Sequence, residues 1–176
     1  MAISSARAGN VIGGGDWSED RLIPDMVRSF INNESARIRN PNAVRPWQHV
    51  LEALSGYLTL IERMHGNREQ FSGGWNFGPD DSDAKPVSWM ADTFASRWGK
   101  AKWSAENNLE APHEAYTLRL DCSKAKLKLQ WQPALKLELA LDWIAEWYRC
   151  HYEGGDVETL SERQIEEFQK QMEARK

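Results

Sequence analysis

Apolar residues recur at helical spacing in several stretches of the chain. The pattern predicts helices over residues 22–33, 51–64, 88–98, 124–129 and 137–152. In the second of these, the predicted apolar face consists of Leu54, Tyr57, Leu58 and Ile61. Each helix is long enough for one face to pack against a neighbouring element, so the helices are expected to cover a sheet.

Short apolar runs bounded by glycine, proline or asparagine predict the strands. Residues 2–11 are expected to form one buried strand that ends at a glycine run. Two extended pieces, 36–41 and 44–50, flank a hairpin-like turn, and further strands are predicted over 71–77, 101–103 and, as an edge strand, 116–120. Strands that alternate with helices indicate an α/β fold.

The last 24 residues differ from the rest of the chain. Two glycines are followed by charged, helix-prone sequence with few apolar positions. We therefore divide the chain into residues 1–152 and a charged helical tail, 153–176, which is expected to fray or pack weakly.

The amino-acid composition argues against several classes of protein. Charged residues make up 27% of the 176 and the net charge is −4, which argues against nucleic acid or an anionic membrane as partner. Two cysteines fit neither a disulfide framework nor a four-cysteine metal site. The chain has no apolar run long enough to span a bilayer and no signal peptide, so a cytoplasmic location is expected.

Candidate chemistry begins at the glycine run, residues 13–15, with Asn10 just before it. Such a loop at a strand end either lets the backbone approach a ligand or is only a tight turn. Arg37 and Arg39 share one face at strand spacing and lie near Arg45, so they either grip a phosphate or are solvated surface residues. Asn76, a polar residue in an apolar strand, is either a structural tie or a ligand contact.

Several motifs of dinucleotide enzymes are missing from the sequence. It contains no Gly-x-Gly-x-x-Gly or Gly-x-x-Gly-x-x-Gly run and no Tyr-x-x-x-Lys pair. The four histidines have no metal-ligand spacing. From the residues alone, the chain is an α/β piece with an arginine- and glycine-rich ligand face.

A series of motifs in one order nevertheless indicates a family. They are Arg7-Ala-Gly-Asn-Val-Ile-Gly-Gly-Gly-Asp-Trp17, Arg21-Leu-Ile-Pro-Asp25, Ile38-Arg-Asn-Pro41, Val44-Arg-Pro-Trp-Gln-His-Val50, Trp75-Asn-Phe-Gly-Pro79, His113-Glu114, Leu120-Asp-Cys-Ser-Lys-Ala125 and Leu129-Gln-Trp-Gln-Pro133. Over residues 3–152 the chain resembles the CDP-glucose 4,6-dehydratases, nucleotide-sugar enzymes of the extended short-chain dehydrogenase/reductase (SDR) class.

The resemblance implies the C-terminal part of an extended SDR enzyme: the last Rossmann strands and helices plus the small α/β substrate-binding domain. In the family, NAD oxidises the sugar of CDP-glucose at C4, water leaves across C5 and C6, and the hydride returns to C6. The product serves surface-polysaccharide synthesis, and the full-length enzyme is expected to be a homo-oligomer. Because the glycine motif and the catalytic Tyr and Lys have no counterpart here, the chain alone is expected to be inactive. The alternative is a non-catalytic nucleotide-sugar-binding or complementing subunit.

The resemblance also carries substrate-binding roles onto this chain. Asn10, Arg45 and Asn76 are assigned to the diphosphate, Arg21 with Leu22 to the nucleotide, Arg39 to the base, and His113 with Glu114 to a loop closing over the nucleotide. Glu110 is a departure, because thymidine-diphosphate relatives carry an arginine there. No catalytic residue and no metal ligand is assigned.

Overall fold

The computed structural model describes residues 2–99, 101–106 and 115–175, and shows a mixed α/β fold. Its strands are β1 Ser4–Ala8, β2 Asn10–Ile12, β3 Ala36–Ile38, β4 Val44–His49, β5 Gly73–Phe77, β6 Ala84–Pro86 and β7 Trp103–Ala105. Its helices are α1 Leu22–Ile31, α2 Val50–Gly66, α3 Val87–Trp98, α4 Ser123–Leu129, α5 Leu137–Tyr152 and α6 Val157–Glu173, with a 3₁₀ turn at Asp81–Asp83. The predicted helices are confirmed to within two residues at each end, and the predicted α/β class is confirmed.

The strands form three small sheets. β1 pairs with β5 in parallel, and β3 pairs with β7 in parallel. β4 lies between β2, which is parallel to it, and β6, which is antiparallel. Because β3 and β4 belong to different sheets, the predicted hairpin between them is wrong. The predicted edge strand 116–120 is also wrong, since among the described residues only an isolated bridge joins Thr117 to Val44.

The predicted single strand 2–11 is divided at Gly9. Its first half, β1, joins β5, and its second half, β2, joins β4. A Cβ at Gly9 would lie 2.4 Å from the carbonyl oxygen of Pro46, so the crossing from one sheet to the other requires glycine. The middle of β1 is exposed, which corrects the expectation of a buried strand.

Helix α2 buries a different face from the predicted one, although Tyr57 of the predicted face does pack against Phe77. Leu54, Leu58 and Ile61 are 46%, 61% and 62% exposed. The buried face instead consists of Glu52, Ala53, Gly56 and Leu60. Gly56 lets the ring of Phe77 approach so closely that a Cβ would lie 2.2 Å from its Cδ1. A carboxylate and a glycine are not counted as apolar, so hydrophobic periodicity identifies the wrong face.

The main core lies between α1, α3 and α5 and the strands they cover. Its fully buried members include Met26, Phe94, Leu141 and Ile144. A second cluster joins α2, α4 and β5 around Trp75 and Phe77. The main core fixes α1 and α5 on either side of the glycine loop, and thereby positions the site described below.

The tail is a well-packed helix. The Asp156 side chain caps α6 by accepting from the backbone N–H groups of Glu158 and Thr159. Leu160, Gln164 and Phe168 are buried at intervals of four residues, and the Gln164 amide donates to the Trp143 carbonyl at 3.1 Å. The helical tail is confirmed, and the expectation that it frays or packs weakly is wrong. None of the described helices is both long and apolar enough to cross a membrane.

Candidate functional site

A cleft opens where β2 ends, between the glycine loop and the first turn of α1. Its volume is about 530 Å³. Its walls are formed by residues of β2, the following loop, the start of α1 and β4: Gly9, Asn10, Val11, Ile12, Gly13, Asp16, Asp20, Arg21, Leu22, Ile23, Pro24 and Trp47. The carboxyl end of parallel strands is where open α/β folds bind ligands.

The glycine loop owes its sequence to packing against two side chains. A Cβ at Gly14 would lie 2.3 Å from Cγ of Trp147, and one at Gly13 would lie 3.0 Å from the Val50 side chain. Gly15 has φ of +77°, a conformation that favours glycine. A side chain at any of these three positions would therefore be crowded or strained, which accounts for the glycines without a ligand. The 176 residues contain no dinucleotide glycine motif, so no NAD-binding residue is assigned to this loop.

Aromatic residues of α5 hold the loop from one side. The Tyr148 hydroxyl donates a hydrogen bond to the Asp16 carbonyl. Burial raises the pKa of Tyr148 to about 12, so the phenol remains a donor at neutral pH. Trp17 packs edge-on against Tyr148 with ring centroids 5.2 Å apart, and His151 lies at the same distance from Trp17. Contacts with α5 therefore hold the loop at Asp16 and at Trp17.

Two ion pairs, each between an aspartate and an arginine, lie at the cleft. An Asp16 carboxylate oxygen is 3.6 Å from an Arg21 nitrogen, and an Asp20 oxygen is 2.6 Å from an Arg39 nitrogen. Asp20 has φ of +60°, which is unusual for a residue with a side chain. Burial raises the pKa of Asp16, but hydrogen bonds from Ser18 and the nearby arginines outweigh it, so the net shift is downward.

Both arginine side chains are more than half exposed, at 58% for Arg21 and 52% for Arg39. Exposed ion pairs contribute little to stability, so an anionic ligand could replace either aspartate at small cost. The part of the cleft wall that the structure describes contains no Tyr, Lys, His or Cys. The arrangement is suited to binding an anion and lacks a nucleophile with an adjacent base.

Three of the predicted site residues meet in this cleft. Asn10, Arg21 and Leu22 all line it. Arg39 reaches it through its contact with Asp20, which is also a lining residue. Their role in binding stays a prediction, but these three residues, which the resemblance assigns to the substrate, line a common cleft.

Arg45 and Asn76 occupy more enclosed positions. Arg45 is 7% exposed, and one of its guanidinium nitrogens donates to the carbonyls of Val44, at 3.0 Å, and Ala115, at 2.9 Å. The Asn76 amide donates to the Asp121 carbonyl at 3.0 Å, while its buried Oδ1 has no hydrogen-bond partner among the described residues. Asn76 is therefore a structural tie between β5 and the segment before α4. A ligand contact by either residue stays a prediction.

Sequence reasoning left some residues of the site out. His113 and Glu114, which it included, lie outside the described residues. Trp47 was missed: it is 5% exposed, lines the cleft and donates from its indole to the Lys85 carbonyl at 2.9 Å. Asp16 and Asp20 were missed as partners of the arginines. The one sequence feature that could have pointed to these two aspartates is their position on either side of the loop that leads into α1.

Solved structures with a similar fold include enzymes that act on nucleotide sugars. UDP-glucuronic acid 4-epimerase from Bacillus cereus, determined with UDP-glucuronic acid and NAD, has a TM-score of 0.70 at 17% identity, covering 84% of this chain and 45% of its own. dTDP-glucose 4,6-dehydratase from Bacillus anthracis, in complex with NAD, has a TM-score of 0.64 at 16% identity, covering 86% and 46%. The chain therefore has the fold of a part of the extended SDR enzymes.

The sequence narrows the resemblance further. Over 171 residues the chain is 48% identical to CDP-glucose 4,6-dehydratase from Salmonella typhimurium, which confirms the similarity that the motifs predicted. The match covers 96% of this chain and 47% of the Salmonella protein, so the chain spans about half the length of the curated relative it matches. No protein-family model matches the chain.

Proposed function

We propose that the chain supplies the nucleotide-sugar-binding part of a CDP-glucose 4,6-dehydratase. The observation that carries the proposal is the 48% identity over 171 residues, which extends across 96% of the chain. Fold likeness alone would leave the nucleotide open, because the solved structures are epimerases and dehydratases of different nucleotide sugars.

The whole enzyme would convert CDP-D-glucose to CDP-4-keto-6-deoxy-D-glucose, a lyase reaction with NAD as cofactor. We place it in the cytoplasm, in O-antigen or lipopolysaccharide biosynthesis, and expect a homo-oligomer. NAD supplies hydride chemistry when it is bound in such an enzyme. The residues of this chain would hold the substrate: Asn10 and Arg45 the diphosphate, Arg21 and Leu22 the nucleotide, and Arg39 the base.

The same residues favour binding over chemistry for this chain by itself. Its 176 residues contain no Tyr-x-x-x-Lys pair and no glycine cradle motif, and the glycines of the loop pack against Trp147 and Val50. We therefore propose that the chain alone does not turn over CDP-glucose. A second candidate, favoured by this observation, is a non-catalytic nucleotide-sugar-binding subunit that complements another polypeptide.

Calorimetric titration of the chain tests the binding role. CDP-glucose and CDP should bind. TDP-glucose should bind more weakly, because it carries the same diphosphate as CDP-glucose but a different base. Replacement of Arg21 by alanine should weaken CDP-glucose binding by about 1.5–3 kcal/mol, the scale of a hydrogen bond to a charged group. Arg68→Ala is the matched control, because Arg68 is exposed and does not line the cleft.

Two results would contradict the proposal. Absence of binding at millimolar CDP-glucose would remove the binding role, and equal losses in both arginine variants would reduce it to general charge attraction. Turnover of CDP-glucose by the chain alone, supplied with NAD, would overturn the view that its residues bind without performing the chemistry.

A further inference from the structure

The indole of Trp147 in α5 forms the floor under the glycine loop. A Cβ on Gly14 would lie 2.3, 2.5 and 2.8 Å from three atoms of this side chain. A Cβ on Gly15 would lie 3.3 Å from the far edge of the same ring. Backbone and ring are thus in direct contact, and the position of the loop depends on the position of the indole.

The tail helix sets the orientation of that indole. Nε1 of Trp147 donates to the Ser161 hydroxyl of α6 at 3.0 Å. The Ser161 hydroxyl in turn donates to the Val157 carbonyl, one turn earlier, at 2.6 Å. Because the hydroxyl proton is used inside α6, the oxygen is left to accept from the indole, and the bond has a defined direction.

The loop then passes directly to the cleft. Asp16 follows the covered glycines, and its carbonyl accepts from Tyr148, the neighbour of Trp147 on α5. The carboxylate of Asp16 lines the cleft and lies 3.6 Å from Arg21. Each step from α6 to the cleft is therefore a hydrogen bond, an ion pair or a packed contact.

We propose that Trp147 and Ser161 are positioning residues for the cleft, through which the tail helix holds Asp16 and Arg21 in the geometry that receives the ligand. The inference rests on the proposed function in taking the cleft as the ligand site. It gives the tail, none of whose described residues lines the cleft, a role in binding.

Hydrogen exchange of the full chain, measured by mass spectrometry, tests the coupling without any ligand. Ser161→Ala removes the acceptor and should raise exchange of the peptide covering residues 13–18 by about threefold to tenfold, the effect of one lost hydrogen bond on local opening. Ser161→Thr keeps a hydroxyl that can still bond the Val157 carbonyl, and should restore the wild-type rate.

Two controls separate this bond from general loosening. Ser96 in α3 also bonds a carbonyl of its own helix, at 2.7 Å to Thr93, so Ser96→Ala loses an equivalent hydroxyl away from the loop and should leave residues 13–18 unchanged. Trp147→Phe keeps an aromatic ring but removes Nε1. Adding Ser161→Ala to that variant should have no further effect on exchange.

The second readout is titration with CDP. Ser161→Ala should bind CDP about threefold to tenfold more weakly, and Ser161→Thr should bind like the wild type. Unchanged exchange at residues 13–18 in Ser161→Ala would overturn the inference, as would an equal increase in Ser161→Thr. If wild-type chain fails to bind CDP, the proposed function is lost, whereas the exchange results still decide whether α6 controls the loop.

Discussion

Glu52 offers a quantitative test of the packing of α2. Its side chain is 1% exposed, and its Oε1 accepts hydrogen bonds from the backbone N–H groups of Ala134, at 2.8 Å, and Leu135. Its Oε2 is buried without a hydrogen-bond partner among the described residues. Burial raises the pKa of Glu52 from 4.5 to about 7, although the two N–H groups and Arg175 act in the opposite direction.

The sign of the pH dependence follows from proton binding. Between the unfolded pKa of 4.5 and the folded value of about 7, the native state holds more protons than the unfolded state. Stability supplied by the protonated carboxyl is therefore complete below pH 4.5 and is lost as the pH rises to about 7. At about 1.4 kcal/mol per pKa unit, the loss is about 3 kcal/mol.

Glu52→Gln isolates this contribution, because glutamine stays neutral throughout and its carbonyl can still accept both N–H groups. The free energy of unfolding of the variant, relative to wild type, should rise by about 3 kcal/mol between about pH 4.5 and pH 8. Burial lowers the pKa of His49 to about 4, so the chain also loses some stability as the pH falls toward that value. Because His49 is present in both the wild type and the variant, this contribution cancels in the difference between them.

Urea unfolding followed by circular dichroism at several pH values measures the difference. Glu62→Gln is the matched control, because Glu62 is an exposed glutamate on the same helix, and it should change the free energy of unfolding by less than about 0.5 kcal/mol. A difference for Glu52→Gln that does not change with pH would refute the reasoning. It would mean that the buried carboxylate is ionised at little cost.

Two further pairs of substitutions test the same helix by thermal unfolding. Gly56→Ala should destabilise the chain by about 1–3 kcal/mol, because its Cβ would enter the ring of Phe77, whereas Gly66→Ala, which meets nothing within 4 Å, should be neutral or stabilising by about 0.5 kcal/mol. Leu60→Ala should cost about 2–5 kcal/mol at 4% exposure, and Leu58→Ala, at 61%, less than about 0.5 kcal/mol. Equal costs within either pair would contradict the observed face of α2.

Hydrophobic periodicity predicted a helix correctly where the buried positions are apolar and lie in one continuous stretch of sequence. Helix α5 was predicted with its observed limits, 137–152, because its core side chains recur at helical spacing. It failed for α2, where Glu52 and Gly56 occupy the buried face. It also underestimated α6, where one of the three buried positions is Gln164, satisfied by a backbone carbonyl. Polar groups that are buried with a partner look exposed in a sequence.

Only part of the candidate site could be predicted from the sequence, because several of its contacts join residues that are far apart in the chain. Asn10 and Arg21 were placed at one substrate site by the family resemblance, and both line the cleft. Arg39 pairs with Asp20, which lies 19 residues earlier in the chain, and no local sequence pattern joins the two positions. The requirement for glycine at position 14 comes from Trp147, more than 130 residues away, a contact that the sequence does not reveal.

The crossing at Gly9 has a consequence for how this protein can change over generations. One residue separates β1 from β2, and each strand is registered against a different partner. An insertion or deletion at this point would shift one of the two strands by a residue and turn its side chains to the opposite face. Because the Pro46 carbonyl leaves no room for even the side chain of alanine, the junction tolerates neither a change of length nor a change of residue 9.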